Sequence, residues 1–229
     1  HSIGRTVCLM PMTWEDGWPM VGLKGNLGRA PRTWFKPGAM AENGDVKVAA
    51  NYPVNAPYNR DEDFNRKSLG RVWQWNHNPD DKMWSLKGGR LRLSTMPADQ
   101  LMWARNSLTQ RVIGPKSVTT VELYVRGMKD GDVAGLGNIN IPCSWVGIVK
   151  DGKSLTLQCF EQLTNDTVNV PVGFPNGKIW LRSIGDYDND QAQYAYSTDG
   201  KTFQTIGRVM PLSYQLTTFQ GSRHALFAF

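Results

Sequence analysis

The chain has 229 residues, of which 40% are hydrophobic and 20% are charged. This length allows one large domain with a real core, and the composition excludes a disordered chain. No apolar run approaches the roughly 20 residues of a membrane helix, so we expect no membrane partner. The formal net charge is +6, but Lys and Arg are scattered rather than clustered, which indicates a mildly basic surface and no nucleic-acid partner.

The first residues give no sign of a secretion signal. His1 to Arg5 contain no apolar segment like that of a signal peptide, and no Met begins the chain, so we expect a processed product or a fragment of a longer protein. The cellular compartment stays open, with a secreted or periplasmic location preferred.

From Thr6 to Gly22, apolar residues run up to a Glu-Asp-Gly turn and resume after it, which predicts a hairpin.

The segment 23–60 differs in composition from the rest. Gly, Pro and Asn are dense there, and no helical or strand period survives. Such a segment is typical of an extended linker that lies over a domain surface, stiffened by its prolines. The sequence therefore predicts three parts: a hairpin in 1–22, a linker in 23–60 and a domain in 61–229.

The third part has the pattern of an all-β domain. Short alternating segments are separated by turn signals, among them Asp151-Gly152 and Asp199-Gly200. No helical period is convincing. The predicted strands are Leu91–Thr95, Thr119–Val125, Trp145–Val149, Ser154–Phe160, Thr167–Val172, Ile179–Ile184, Ala192–Ser197, Phe203–Ile206 and Arg223–Phe229. This pattern predicts a two-sheet antiparallel β-sandwich of the jelly-roll type.

Catalytic carboxylates are hard to find. A glycosidase needs an acid and a base about 5 to 9.5 Å apart. Nothing marks any two carboxylates as such a pair, and all fit solvated turns or strand edges, so we assign no catalytic residue. The candidates considered are Glu15, Asp16, Asp80, Asp81, Glu122 and Glu161.

Metal and cysteine patterns are equally weak. Asp186 to Asp190 resembles the start of an EF-hand, but Gln191 and Ser197 stand where that motif requires Gly and Glu. We therefore expect a hairpin loop there and no metal site or cofactor; a surface calcium stays open without support. The cysteines lack any CxxC spacing, so we expect buried thiols, with a bridge between one pair left open; they are Cys8, Cys143 and Cys159.

The densest functional pattern runs from Val72 to Trp84. Trp73, Trp75 and Trp84 supply flat apolar faces, and Asn76 and His77 supply hydrogen-bonding groups, a mixture that suits a sugar ring. The alternative is a structural cluster in which the rings fill a core and the polar groups satisfy loop backbone. The chemistry of the residues alone supports the two interpretations about equally.

Arg105 and Arg111 flank a second polar stretch that could clamp a ligand or pair with acidic turns.

At these residues the chain strongly resembles the C-terminal concanavalin-A-like module of family 43 glycoside hydrolases of the β-xylosidase type. The resemblance covers about 61–229, and several motifs recur in order. It implies a concanavalin-A-like jelly roll, grouped with xylan-binding modules. The segments that carry it are Trp75–Asp80, Met83–Leu86, Leu91–Leu93, Ala104–Arg111, Gly114–Pro115, Lys129–Leu136, Tyr196–Gly200 and Phe219–Arg223.

The N-terminal segment resembles the same enzymes. Gly4-Arg5 and Trp14 to Pro19 are similar to the closing strands of their five-bladed propeller, which makes 1–22 a remnant of its final blade. In those enzymes this Arg reaches the subsite that holds the cleaved sugar, a role that the resemblance implies for Arg5. Their catalytic Asp, Asp and Glu lie in earlier blades. We therefore expect this chain alone to be catalytically inactive.

Three functional hypotheses follow. The first is an accessory module that binds xylan or xylo-oligosaccharides through Trp73, Trp75, Asn76, His77 and Trp84, with Arg105, Arg111 and Arg5 as further contacts. The second is a structural module that completes the cleft or oligomer interface of the parent enzyme, with its propeller domain as partner. The third, a complete small glycosidase, lacks the acid and base it needs.

Overall fold

A computed structural model describes residues 2–5, 10–31, 61–218 and 220–229 of the chain. The predicted linker beyond residue 31, the start of the predicted hairpin in 6–9, Cys8 and Phe219 lie outside the described residues. The predictions made for them therefore stay predictions. In the part that is described, no helix is both long and apolar enough to cross a membrane.

The described residues form short strands and two single-turn 3-10 helices, Leu101–Trp103 and Pro175–Gly177. In chain order the strands are β1 (Met12–Glu15), β2 (Trp18–Leu23), β3 (Asn26–Leu27), β4 (Gln74–Trp75), β5 (Trp84–Leu86), β6 (Leu91–Leu93), β7 (Leu108–Arg111), β8 (Lys116–Tyr124), β9 (Val133–Ile139), β10 (Ser144–Asp151), β11 (Ser154–Glu161), β12 (Asp166–Val170), β13 (Lys178–Asp186), β14 (Gln191–Ser197), β15 (Gln204–Pro211) and β16 (Arg223–Ala228).

Two antiparallel sheets build the domain. The larger has seven strands in the order β12-β11-β10-β9-β16-β7-β4, and the smaller has four in the order β15-β14-β13-β8. A separate ribbon pairs β5 with β6. The prediction of an all-β, two-sheet antiparallel sandwich is confirmed. Asp186 to Asp190 forms the turn between β13 and β14, as expected.

The main core lies between the two sheets. β8 alternates strictly, so that Val121 and Leu123 pack inward while its other residues face outward. Opposite them, β9 and β10 are buried on both faces, since a second apolar cluster covers the outer face of the large sheet. Leu101 is fully buried in that cluster, above Gly137, where a Cβ would lie 2.4 Å from its Cδ2.

A polar network also lies between the sheets. The ring of His224 is buried, with Nδ1 3.0 Å from Asn138 Oδ1 and Nε2 3.4 Å from the hydroxyl of Tyr187. That hydroxyl lies 3.1 Å from Ser117 Oγ, and Asn138 bonds Ser183. Burial lowers the pKa of His224 to about 4. The ring therefore stays neutral inside the folded domain at neutral pH.

Two of the three cysteines fall in described residues. Cys143 and Cys159 are buried and free, which confirms the expectation of buried thiols for this pair. Burial raises the pKa of Cys143 to about 11 and that of Cys159 to about 12. Neither thiol is therefore a reactive thiolate at neutral pH.

The chain divides into two compact units, and the division differs from the predicted boundaries at the N-terminus. One unit contains residues 61–229 together with 1–5, and the other contains 6–60. The second unit holds the predicted hairpin, with β1 paired to β2 across Asp16-Gly17 and β3 added at its edge. Residues 26 and 27, inside the predicted linker, thus belong to a strand.

Candidate functional site

The predicted aromatic cluster is built where β4 and β5 meet. Trp75 in β4 and Trp84 in β5 are half-buried, with ring centroids 5.1 Å apart and planes tilted by 55°. The indole nitrogen of Trp84 donates to Asp81 Oδ1 at 3.0 Å. The two rings thus pack against each other. This contact holds the β5-β6 ribbon beside the edge of the large sheet.

Trp73 is held separately from that pair. Its ring lies 5.6 Å from that of Phe64, and the side chain is half-buried. The indole nitrogen is buried and has no hydrogen-bond partner among the described residues. Trp73 therefore packs on the segment that enters the sandwich at its start.

Asn76 and His77 bond the first 3-10 helix. His77 Nε2 lies 2.7 Å from the carbonyl oxygen of Met102, and Asn76 Nδ2 donates to the same oxygen at 3.4 Å. Asn106, which is buried, clamps the loop between β4 and β5: its Oδ1 accepts from Asp80 N and its Nδ2 donates to Asp80 O. These side chains thus form hydrogen bonds with backbone groups of the 3-10 helix and of the loop. Arg105 does the same, because its Nε donates to Asn78 O at 2.9 Å.

The other two predicted arginines lie elsewhere on the sandwich. Arg111 is exposed at the end of β7, opposite Arg223 of β16. Arg5 lies over the ring of Tyr214, with its guanidinium carbon 6.0 Å from the ring centroid. The structure therefore brings Asn76, His77 and Arg105 together, whereas Arg5 belongs to a different surface.

That second surface joins residues 2–5 to the loop before β16. Ser2 is fully buried; its backbone nitrogen donates to Asp190 Oδ1 at 2.9 Å, and its carbonyl accepts from Ser222 N at 2.8 Å. Gly4 has φ of +88°, and a Cβ there would lie 2.7 Å from Gly221 N. Only glycine fits this conformation and approach without strain. The hydroxyl of Tyr214 is buried without a partner among the described residues.

Sequence reasoning missed one exposed aromatic residue, Trp103. Its side chain is 61% exposed, although Leu101 and Ala104 on either side of it are buried. The ring is nearly parallel to that of His77, with centroids 6.4 Å apart. It also borders an open groove of about 640 Å³. The run Leu101-Met102-Trp103 gives no signal of this exposure, because one turn of 3-10 helix is too short to show a period.

Two of the carboxylates considered as catalytic candidates form ion pairs in the structure. Glu161 is buried and accepts from Arg208 Nε at 2.7 Å, so it serves an ion pair. Glu122 pairs with Lys178 on the outside of the small sheet. Within the described ranges, no three His, Cys, Asp or Glu side chains gather as metal ligands would.

Comparison with known proteins agrees with this architecture. Residues 61–229 match the family described as "Beta xylosidase C-terminal Concanavalin A-like domain". The chain belongs to this family, which confirms the predicted concanavalin-A-like class of the sandwich. The module is one of the type found in glycoside hydrolase family 43 enzymes.

Individual relatives extend the match to the whole chain. A β-xylosidase of Formosa agariphila is 32% identical over 254 residues, which cover 98% of this chain and 40% of that protein. A relative from Xylanibacter ruminicola is 31% identical over 216 residues, covering 92% of this chain. The chain spans only 37% to 40% of the length of these curated relatives.

Solved structures of larger enzymes contain the same fold. A bifunctional GH43-CE protein of Bacteroides eggerthii is 32% identical, with a TM-score of 0.76, over 99% of this chain and 29% of that one. An engineered GH43 glycoside hydrolase with endo-xylanase and exo-arabinofuranosidase activity is 26% identical, with a TM-score of 0.77, over all of this chain and 47% of the other.

Proposed function

We propose that the chain is a structural module of a β-xylosidase-type family 43 glycoside hydrolase, and that it completes the parent enzyme against the propeller domain. The observation that carries the proposal is the position of residues 2–5. They resemble the closing strand of the propeller, yet Ser2 is fully buried within the sandwich unit. A segment shared between the two domains would couple them through one backbone.

The aromatic cluster supports the same hypothesis. The Trp75–Trp84 pair, the Trp84 bond to Asp81 and the clamp of Asn106 on Asp80 account for most of the motif that also suits a sugar. The side chains of His77 and Asn76 lie within hydrogen-bond distance of the Met102 carbonyl oxygen. Residues whose hydrogen bonds are already made within the fold gain less from a ligand.

The surface around Arg5 is the region that we expect to face the cleft. Arg5 lies over Tyr214, and the buried hydroxyl of Tyr214 has no partner within the described ranges. The guanidinium of Arg5 is thus held beside an aromatic ring of the sandwich unit, which fixes the position of the residue that the resemblance assigns to the cleft. By resemblance, Arg5 would contact the cleaved sugar. We expect the chain alone not to hydrolyse xylosides, because the resemblance places the catalytic Asp, Asp and Glu in earlier blades of the propeller.

The test uses the longer enzyme that carries this chain behind a propeller. Removing 61–229 should abolish hydrolysis of both a soluble aryl xyloside and insoluble xylan, since the module would be part of the catalytic body. An independent sugar-binding module would behave otherwise: its removal would lower activity on insoluble xylan alone. Retention of full activity on the soluble aryl xyloside by a folded, truncated enzyme would contradict the proposal.

A further inference from the structure

We propose a binding site for a carboxylate-bearing ligand between Arg111 and Arg223, on the outer face of the large sheet. Arg111 of β7 and Arg223 of β16 are directly opposite residues in the pairing of these two strands, so their side chains project from the same face. That face is the outer one, because Ala225, two residues further along β16, belongs to the outer apolar cluster. The proposal goes beyond the proposed structural function and does not depend on it.

Two like charges in this position call for an anion. Like charges directly opposite each other destabilise an antiparallel pair of strands. Within the described ranges, neither guanidinium takes part in an ion pair. Arg223 is partly buried, and burial together with the nearby charge of Arg111 lowers the pKa of Arg223, although a guanidinium stays protonated at neutral pH. The described part of the chain therefore leaves this pair of positive charges uncompensated.

The guanidinium of Arg223 is held in a fixed position. Its Nη1 donates to Thr109 Oγ1 at 2.9 Å, and its Nη2 donates to Gln74 Oε1. Thr109 is fully buried, and its hydroxyl donates in turn to the carbonyl oxygen of Gln74 at 2.8 Å. Side chains of three neighbouring strands, β4, β7 and β16, thus orient one guanidinium. A ligand that binds it meets a preorganised group, so little conformational entropy is lost there.

The polar groups left at this site are hydrogen-bond donors. Arg223 uses two of the five N–H groups of a guanidinium on Thr109 and Gln74. Arg111 is exposed, and its side chain makes no hydrogen bond with the described residues. Gln74 is also exposed; since its Oε1 accepts from Arg223, its amide N–H groups stay available. An anion that only accepts hydrogen bonds matches this set of donors.

The geometry favours a carboxylate over a phosphate. Phosphate sites commonly use backbone N–H groups at a helix N-terminus or in a turn. Here β16 is paired on both sides, so its backbone groups are engaged in the sheet. The donors are side-chain forks, which bind a planar carboxylate through two parallel hydrogen bonds. Two sources offer this chemistry: a free organic acid, and a uronic acid residue within a polysaccharide.

Titration of the 229-residue chain with glucuronate, followed by amide chemical shifts at constant ionic strength, tests the site. Concentrations up to about 50 mM cover millimolar dissociation constants. Glucose, which lacks the carboxylate, is the control ligand, and inorganic phosphate is the control anion. We expect saturable shifts around Arg111 and Arg223 with glucuronate, none with glucose, and binding of phosphate that is weaker by about threefold or more.

Hexagalacturonate distinguishes the two sources of the carboxylate. Binding more than about sixfold tighter than that of glucuronate exceeds the statistical advantage of its carboxylates, and it assigns the site to a uronic acid within a chain. A smaller difference assigns the site to a free acid. Either result supports the site.

Arginine variants test the two proposed contacts. R111Q removes one guanidinium and should weaken glucuronate binding by about tenfold or more, and R223K keeps the charge but loses the fork, which should weaken it by about threefold or more. Arg92 is the matched control: it is exposed in β6, opposite Ser85 rather than an arginine, so R92Q should leave the affinity unchanged.

Circular dichroism and melting of each variant verify that it is folded. The proposal is overturned if the wild-type chain shows no saturable binding of glucuronate, or if glucose or phosphate binds as tightly as glucuronate. It is equally overturned if folded R111Q binds glucuronate as R92Q does.

Discussion

At the scale of single residues, His224 shows what a buried titratable group does to this fold. It is buried between the two sheets, where its ring nitrogens face the neutral side chains of Asn138 and Tyr187. Burial lowers the pKa of His224 from 6.5 to about 4. Between pH 6.5 and about pH 4, the His224 ring therefore binds a proton in the unfolded chain but stays neutral in the folded domain. Stability contributed by the neutral ring is fully present above pH 6.5.

We accordingly predict that the free energy of unfolding falls as the pH drops from 6.5 towards 4. The contribution of His224 to that fall is at most about 3 kcal/mol, by linkage. Urea unfolding of the wild type and of His224→Gln at several pH values measures it. The variant should be less stable at pH 7 but show a shallower pH dependence in this window. Parallel curves for the two proteins would rule out His224 as the cause.

Residue types in the sequence predicted a loop rich in aromatic and hydrogen-bonding side chains, but they did not predict which aromatic rings are exposed. The spacing of Trp75, Asn76 and His77 marked a loop rich in hydrogen-bonding groups, and the structure places all three at the same edge of the large sheet. Which rings face solvent depends on contacts from distant parts of the chain. Trp84 is covered by Trp75, whereas Trp103 is exposed because its neighbours Leu101 and Ala104 are drawn into the core.

At the scale of elements, the segment 2–5 is the feature with the largest consequence. It is too short to show any period, and Ser2 is held by a backbone hydrogen bond from Ser222 N and by the side chain of Asp190. Its close approach to the loop before β16 requires glycine on both sides: a Cβ at Gly221 would lie 2.2 Å from Ile3 O. The segment therefore depends on steric fit rather than on burial of large side chains.

A glycine comparison tests this fit. Gly4 and Gly131 have similar φ values, +88° and +90°, but only Gly4 has neighbours within 4 Å of an added Cβ. Gly131→Ala should cost about 1 kcal/mol, from backbone strain alone. Gly4→Ala should cost about 2 kcal/mol or more, because it adds a clash with Gly221. Urea unfolding of both variants measures the difference; equal losses would show that segment 2–5 is not packed as described.

Elements with a strong period were predictable, and those held by long-range contacts were not. β8 alternates along its whole length, and Asp151-Gly152 marks the β10-β11 turn. β9 was missed because Gly135 and Gly137 interrupt any pattern of side chains. They are needed there: a Cβ at Gly135 would lie 2.2 Å from Val146 O on the neighbouring strand. Packing requirements of this kind leave no local signal.

At the scale of the whole molecule, the sandwich has the core of an independent domain, yet it incorporates residues that precede it by a long segment. Residues 1–5 and 61–229 form one compact unit, and 6–60 form another. An accessory domain joined only by a flexible linker would not bury Ser2 in its own structure. We infer that the parent enzyme folds its propeller and its sandwich as coupled parts.

Scanning calorimetry of the longer enzyme tests this coupling most directly. Domains that share a buried segment unfold together, whereas domains joined only by a linker unfold separately. We predict one cooperative transition for the enzyme that carries both the propeller and this chain, and loss of that transition when residues 61–229 are removed. Two separate transitions, with the propeller unfolding at the same temperature whether the sandwich is present or absent, would contradict the account.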